Sequence, residues 1–141
     1  MRGISLADTG ALVALLDRSD KHHFWAVACF KTLKPPVFTC EAVLTEAWHL
    51  LGEASPSRCT LAALCQEGII RSKFSFQDHA VEVWCLLKKY SDTPMDFADA
   101  CLVRLSELHS NSCVWTTDSD FRVYRRMGRQ AIPVLAPWSN P

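Results

Sequence analysis

The chain has 141 residues and carries 15 Lys and Arg against 15 Asp and Glu, so its formal net charge at pH 7 is zero. This length lies in the commonest range for one domain, and a hydrophobic content of 49% is enough for a sizeable core. The balanced charge excludes a polybasic tail or a broad basic groove, so general attraction to phosphate cannot be the main device of a nucleic-acid-binding function. We expect a single domain over residues 1–141.

Membrane and disulfide-rich classes are disfavoured as well. No apolar run approaches the roughly 18 to 20 residues of a membrane span, and the first residues lack the long apolar stretch of a signal peptide. We therefore expect a cytoplasmic protein without a membrane partner. The seven cysteines are an odd number without a C-x-x-C pair, which indicates neither a disulfide framework nor a zinc site. We expect them to be small buried residues.

Short apolar runs alternate with helical patterns along the whole chain. In the first half the predicted elements are a strand over 3–7, helices over 10–17 and 21–34, a strand over 37–39, a helix over 41–51, and a helix from Ser55-Pro56 to Gly68. In the second half they are a strand over 69–71, helices over 77–90 and 97–108, a strand over 112–116, a short helix over 119–127, and a strand over 131–135. This order predicts an α/β fold with three layers, α/β/α, around a parallel sheet of about five short strands.

Acidic side chains follow the strands where a parallel sheet forms its binding crevice. Such crevices lie beyond the carboxyl ends of the strands, near the point where the strand order reverses. Asp8 follows the first predicted strand and Asp118 the fourth. Asp99 lies in the first turn of a helix with Asp96 just ahead of it, and Glu46 lies on the apolar face of its helix. A carboxylate on an apolar face needs a partner, because an unpaired buried charge is expensive.

No Lys or Arg is an obvious local partner for these acids, so their convergence would make them repel one another or take up protons. A divalent cation resolves that conflict, since Mg²⁺ is held by a few carboxylates together with water and substrate phosphate oxygens. Each acid also has an ordinary structural role open to it. Asp8, Asp96 and Asp118 are suited to cap helices, and Asp99 suits the dipole of a first helical turn.

Four short motifs carry a resemblance to a known family: DTGALVALLD over 8–17, TEA over 45–47, MDFADA over 95–100 and TTDSDF over 116–121. In their order and spacing they resemble the PIN-domain ribonucleases, close to the VapC-type toxins of bacterial toxin–antitoxin pairs. The resemblance covers nearly the whole chain. It implies a PIN-like fold, an endoribonuclease that depends on Mg²⁺ or Mn²⁺, an RNA substrate with single-stranded or loop regions, an antitoxin partner and a homodimer.

The resemblance also implies roles for individual residues. The quartet Asp8, Glu46, Asp99 and Asp118 would be both catalytic and metal-binding. Asp96 and Asp120 would support it, and Thr116 would orient Asp118 or a water molecule.

Arginines form the one cationic cluster of the sequence. If residues 119–127 are helical, spacings of three and four place Arg122, Arg125, Arg126 and Arg129 near one side of the helix, at the rim of the crevice. They are candidates for binding RNA phosphates, while a solvated helix face and pairing with a partner's acids stay open. Most of the five tryptophans are expected to pack in the core, and exposed apolar residues such as Phe24 or Trp25 are candidates for contact with an antitoxin or a second copy.

Other functions fit the sequence less well. Asp-Thr-Gly is also the signature of retroviral-type aspartic proteases, but those are all-β dimers and several helical segments follow the motif here. A receiver or phosphatase of the same fold class would need a late lysine or paired aspartates after the first strand, and neither is visible. A catalytically silent PIN-like module that binds RNA or protein, and a housekeeping RNA-processing nuclease, remain alternatives to the toxin.

Overall fold

The computed structural model describes residues 3–53 and 56–138. The helices are α1 (Thr9–Leu16), α2 (His23–Thr32), α3 (Glu41–Leu51), α4 (Ser57–Gln66), α5 (Ala80–Lys89) and α6 (Phe97–Leu108). The strands are β1 (Ile4–Ala7), β2 (Val37–Thr39), β3 (Ile70–Ser72), β4 (Ser112–Trp115), β5 (Arg125–Arg126), β6 (Gln130–Ala131) and β7 (Val134–Leu135). Two short 3-10 helices cover Gln77–His79 and Ser119–Arg122.

Five strands form one parallel sheet in the order β3-β2-β1-β4-β7. The chain builds from β1 outward to β2 and β3, then returns through α5 and α6 to place β4 on the other side of β1. The strand order therefore reverses between β1 and β4. These two strands are paired from Ile4 with Ser112 to Ala7 with Trp115, so they end at the same level. Helices flank the sheet, which confirms the expected three-layer α/β/α architecture.

Apolar side chains from both central strands fill the core. All four residues of β4 are buried, as are Leu6 and Ala7 of β1. The largest fully buried side chains include Trp115, Phe121 and Tyr124. Since β1 and β4 are covered so completely, the residues that follow them are held by a rigid frame.

Local signals set the ends of the helices next to this frame. The side chain of Asp8 caps α1 by accepting a hydrogen bond from the amide of Thr9. Asp96 caps α6 in a reciprocal capping box with Asp99. α3 ends at Gly52, whose φ of 81° is in the left-handed region that favours glycine.

The predicted elements are confirmed except near the C-terminal end and at some boundaries. Residues 119–127 are not one helix, because the 3-10 helix ends at Arg122 and a hairpin of β5 and β6 follows. The turn of that hairpin contains Met127 and Gly128, with φ of 52° and 84°, which no α-helix accommodates. The predicted strand 131–135 is two strands, since Ala131 ends β6 and only β7 joins the main sheet.

Other boundaries differ by one or two residues, as at α2, which covers His23–Thr32 where 21–34 was expected. The predicted helix 77–90 opens with a 3-10 turn before α5. Of the Ser55-Pro56 signal for a helix start, Ser55 lies outside the described residues, and α4 ends at Gln66 rather than Gly68.

All seven cysteines are free thiols, as expected. Cys40, Cys101 and Cys113 are buried, but Cys59 and Cys85 are exposed, so the expectation of burial is wrong for those two. In the part of the chain that the structure describes, no helix has the length and apolar character that crossing a membrane requires.

Candidate metal-binding active site

Asp8 and Thr116 join the ends of the two central strands. Asp8 follows β1 and is only 4% exposed. Its Oδ1 accepts the Thr9 amide at 2.8 Å, and its Oδ2 accepts the Thr116 hydroxyl at 2.6 Å. The same hydroxyl oxygen of Thr116 accepts the amide of Asp118 at 2.8 Å. One hydroxyl group therefore fixes Asp8 and the backbone of Asp118 relative to each other at the point where the strand order reverses.

Asp118 is half-buried and caps the 3-10 helix that follows β4. Its Oδ1 accepts the amide of Asp120 at 2.9 Å. Asp120 is also half-buried, and its carboxyl has a pKa above the ordinary value because of partial burial and the neighbouring charge of Asp118. The two carboxyl groups thus share the outer part of the site.

Asp99 enters the site from the first turn of α6. It is 6% exposed, and its amide donates to Asp96 Oδ1 at 2.8 Å. The hydroxyl of Tyr124 donates to Asp99 Oδ2 at 2.9 Å. Tyr124 was not predicted as a site residue, because a single tyrosine 25 residues away along the chain forms no local pattern with Asp99.

Glu46 approaches from α3 and is half-buried. Its Oε1 accepts the hydroxyl of Thr9 at 2.7 Å, which ties α3 to the first turn of α1. Thr9 belongs to the Asp-Thr-Gly motif, yet its role in holding Glu46 was not predicted. The expected apolar neighbours of Glu46 are partly wrong, since Val43 and Ala47 are buried while Leu50 is exposed.

The inner carboxyl groups are poorly compensated. Burial, then the charges of Asp118 and Asp96, raises the pKa of Asp8 to about 6, although the hydrogen bonds from Thr116 and Thr9 act in the opposite direction. Burial, then the charges of Asp8 and Asp96, raises the pKa of Asp99 to about 8. Burial, together with Asp96, also raises the pKa of Glu46. The charges of these acids therefore raise one another's pKa values, with Asp96 acting on Asp8, Asp99 and Glu46 alike.

No basic side chain neutralises this charge. Among residues 3–53 and 56–138 the one ion pair joins Arg104 and Glu107, and neither belongs to the site. Carboxylate oxygens with raised pKa values and no counter-charge are the donor set that a hard divalent cation takes. In the geometry as it stands, no three Asp, Glu, His or Cys side chains of the described residues are gathered closely enough to enclose an ion. The carboxylate oxygens are the type of ligand that a divalent cation prefers. In this structure they accept hydrogen bonds from hydroxyl and amide groups.

The structural and functional interpretations of the acids are compatible. Asp8, Asp96 and Asp118 all cap helices, as their ordinary roles predicted. Each carboxylate oxygen has two lone pairs, so a carboxylate that accepts one capping hydrogen bond keeps acceptor capacity for another partner. Capping fixes the direction in which each acid points and leaves it able to bind.

The arginines do not form the predicted helix face. Arg126 lies in β5 and is buried, and its guanidinium donates to the backbone oxygens of Ser106, Ser110 and Ser112. We therefore correct its assignment as an RNA-binding candidate, because its donors serve the interior. Arg125 Nη1 donates to three nearby backbone oxygens, including that of Arg122.

Arg122 and Arg129 are exposed, and the guanidinium of Arg122 lies 5.3 Å from the ring centre of Trp138. The expectation that most tryptophans pack in the core is wrong for Trp48, Trp84 and Trp138, which are exposed.

The fold and the site together define a three-layer α/β/α domain with an acidic crevice at the point of strand reversal. The family model described as "PIN domain" matches residues 6–127, and the chain belongs to this family. No curated protein matches the chain significantly in sequence.

Among solved structures, the chain is similar in fold to Mycobacterium tuberculosis VapC20, described as a toxin that cleaves the sarcin-ricin loop. The match has a TM-score of 0.76 at 22% sequence identity and covers 84% of this chain and 93% of that chain. The resemblance inferred from the four motifs is thereby confirmed at the level of family and fold. The parallel sheet and six helices of the described residues are incompatible with an all-β aspartic protease.

Proposed function

We propose that the protein is an endoribonuclease that depends on Mg²⁺ or Mn²⁺ and serves as the toxin of a toxin–antitoxin pair. The observation that carries this proposal is the buried pair Asp8 and Asp99 in a PIN domain, two carboxyl groups with raised pKa values that form no ion pair with any of the described residues. The fold shared with VapC20 supports the toxin role.

The quartet Asp8, Glu46, Asp99 and Asp118 would hold the cation. When bound, the cation supplies charge neutralisation at the scissile phosphate and lowers the pKa of water. Thr116 holds Asp8 from one side, Tyr124 holds Asp99 from the other, and Thr9 holds Glu46. These hydroxyl donors restrict the carboxylates to a few orientations, which reduces the reorganisation needed when substrate arrives.

The outer acids would handle the proton. Asp118 and Asp120 are half-buried, so they stand between the interior and solvent. A carboxylate in that position accepts a proton from the water that attacks phosphorus and releases it to bulk solvent. The raised pKa of the Asp120 carboxyl makes its carboxylate a stronger base than an ordinary aspartate. Asp96 supports Asp99 through the capping box.

Partners and location follow from the same proposal. The exposed Arg122 would contact an RNA phosphate outside the crevice. Apolar residues exposed on α2 and α3, among them Phe24 and Trp48, would be covered by an antitoxin or by the second copy of a homodimer. We place the protein in the cytoplasm, a reducing compartment that suits its free thiols.

A cleavage assay with charge-removing variants tests the nuclease function. We expect the purified protein to cut RNA with Mg²⁺ or Mn²⁺, to stop on addition of EDTA, and to lose activity at least about 100-fold in Asp8→Asn and Asp99→Asn. Asp92→Asn, at an exposed acid in the turn before α6, is the matched control and should keep full activity. Full metal-dependent activity in both site variants would overturn the assignment. Absence of cleavage together with no Mn²⁺ uptake would instead identify a catalytically silent module.

A further inference from the structure

An aromatic cleft lies beside the acidic site. It has a volume of about 440 Å³, which is within the range of small-molecule sites, about 300 to 1,000 Å³. The side chains that matter here are Glu41, Thr45, Glu46, Phe74, Phe76 and Phe97. Binding a cation does not require the three phenylalanines that line this cleft, so the proposed cation site does not account for them.

Two phenyl rings of the wall are open to solvent. Phe76 is 39% and Phe97 46% exposed, and their ring centres are 4.9 Å apart with the planes tilted by 55°. Phe74 is held behind them by stacking on His79, with ring centres 5.3 Å apart. Flat aromatic faces that stay exposed while backed by packed neighbours are suited to stack a planar ligand.

The cleft is continuous with the acidic site. Glu46 lines the cleft and also accepts the hydroxyl of Thr9 within the site. Phe97 and Ala98 line the cleft as the first residues of α6, directly before Asp99. A group bound in the cleft therefore contacts Glu46 and the first residues of α6, which directly precede Asp99.

The polar groups of the cleft indicate the chemistry of its occupant. Glu41 and Glu46 offer hydrogen-bond acceptors, and no Lys or Arg is found among the described residues that line it. Carboxylates repel phosphate but accept hydrogen bonds from an exocyclic amino group such as N4 of cytosine. The combination favours a planar, uncharged ring with an amino edge.

We propose that the cleft is a nucleobase subsite, which stacks an amino-bearing base of a single-stranded RNA substrate on Phe76 and Phe97 with its amino edge toward Glu41. This inference rests on the proposed nuclease function and adds a source of sequence preference to it. Uracil has the same size as cytosine but carries a carbonyl oxygen where cytosine has the amino group, so the cleft should discriminate between the two.

Equilibrium binding of oligocytidylate and oligouridylate of about ten nucleotides, measured by fluorescence anisotropy in EDTA so that no cleavage occurs, tests the subsite. We expect the wild-type protein to bind oligocytidylate about three- to tenfold more tightly, as one added hydrogen bond gives. Phe76→Leu should weaken that binding about tenfold, whereas Phe76→Trp should retain it. Glu41→Gln should reduce the preference for cytosine, because the glutamine amide can accept from a cytosine amino group and can also donate to the uracil carbonyl oxygen.

Trp84→Leu is the matched control, because Trp84 is an exposed aromatic residue of α5 that does not line the cleft. Equal loss in Phe76→Leu and Trp84→Leu, or equal wild-type affinity for the two oligomers, would overturn the subsite while leaving the nuclease function intact. Unchanged RNA affinity in Phe76→Leu with dissociation of a dimer in gel filtration would assign the cleft to a protein segment instead. If the wild type binds neither oligomer, the subsite proposal fails, and the metal-dependent cleavage assay still decides the nuclease function separately.

Discussion

Replacing Asp99 by Asn should make the metal-free protein more stable at alkaline pH. Burial, then the charges of Asp8 and Asp96, raises the pKa of Asp99 to about 8, and burial likewise raises the pKa of Asp8 to about 6. A raised carboxyl pKa means that the folded state binds the proton more tightly than the unfolded state does. Ionisation of these two groups in the folded protein therefore lowers its stability.

The sign and size follow from the two pKa values. In the unfolded chain both carboxyls ionise near the ordinary value of 3.8. Their stabilising contribution is complete below about pH 4 and is lost as the pH rises through about 6 for Asp8 and about 8 for Asp99. The change at Asp8 alone corresponds to about 3 kcal/mol. Because the two carboxylates repel each other, removing one charge also relieves the other.

We expect Asp99→Asn to raise the free energy of unfolding by at least about 2 kcal/mol near pH 8.5, or about 6 °C in Tm. Near pH 5 the difference should be smaller, since Asp99 is then still protonated in the folded protein and ionised only in the unfolded chain, and an asparagine oxygen can still accept from Tyr124.

Urea unfolding followed by circular dichroism in EDTA, at about pH 5 and about pH 8.5, measures this difference. Asp92→Asn makes the same chemical change at an exposed position and should leave the pH dependence as in the wild type. The reasoning is refuted if the wild-type protein is equally stable at both pH values, or if Asp99→Asn is less stable than the wild type at both.

Further substitutions test the supports of the site and the roles of the arginines. Thr116→Val removes the donor to Asp8 and the acceptor of the Asp118 amide, so Mn²⁺ affinity measured by calorimetry should fall about 10- to 100-fold, with Thr116→Ser close to wild type. Gly10→Ala places a methyl group against the hydroxyl of Thr117 and should lower the free energy of unfolding by about 1 to 3 kcal/mol in urea. Adding Thr117→Ala to the same chain removes the clash and should restore that stability. Arg126→Met leaves buried carbonyl oxygens without a hydrogen-bond donor and should lower the free energy of unfolding by about 2 to 4 kcal/mol in urea. Arg122→Gln should leave stability unchanged and reduce the salt dependence of RNA binding by about one phosphate contact.

Each of these has a contrary outcome. Equal metal affinity in Thr116→Val would show that the hydroxyl group only supports the fold. If the loss of stability persists in the Gly10→Ala, Thr117→Ala double variant, the backbone around residue 10, and not the Thr117 side chain, excludes a Cβ at that position. An Arg126→Met protein of wild-type stability and weakened RNA binding would restore Arg126 to the RNA-binding candidates.

The elements that the sequence predicted best have strong local signals. α6 was predicted to the residue, because the Asp96 cap and the apolar pattern after it act over a few positions. β2 and α3 were likewise predicted to the residue between Pro35-Pro36 and Gly52. The carboxylates could be found in the same way, since Asp8 directly follows β1 and Asp118 lies three residues after the end of β4, its parallel neighbour.

The parts that the sequence did not predict depend on contacts between distant residues. The Thr116 hydroxyl meets Asp8 across 108 positions of the chain, and Tyr124 meets Asp99 across 25. The hairpin of β5 and β6 contains only two residues per strand, too few for a period of two to appear. Arginine is a charged residue type, so the sequence does not predict that Arg126 is buried. The surrounding backbone oxygens that accept its hydrogen bonds explain the burial. The single domain over residues 1–141 and the roles of the individual site residues stay predictions.

The central claim is that the acids at the ends of β1 and β4 and on α3 and α6 form one cation site that cleaves RNA. The most direct measurement is the rate of RNA cleavage as a function of Mn²⁺ concentration, compared with the calorimetric binding curve of the same preparation. We predict that the two curves coincide and that Asp99→Asn abolishes both cleavage and uptake. Cleavage that persists in EDTA, or tight uptake of Mn²⁺ by Asp99→Asn with unaltered cleavage, would contradict the account.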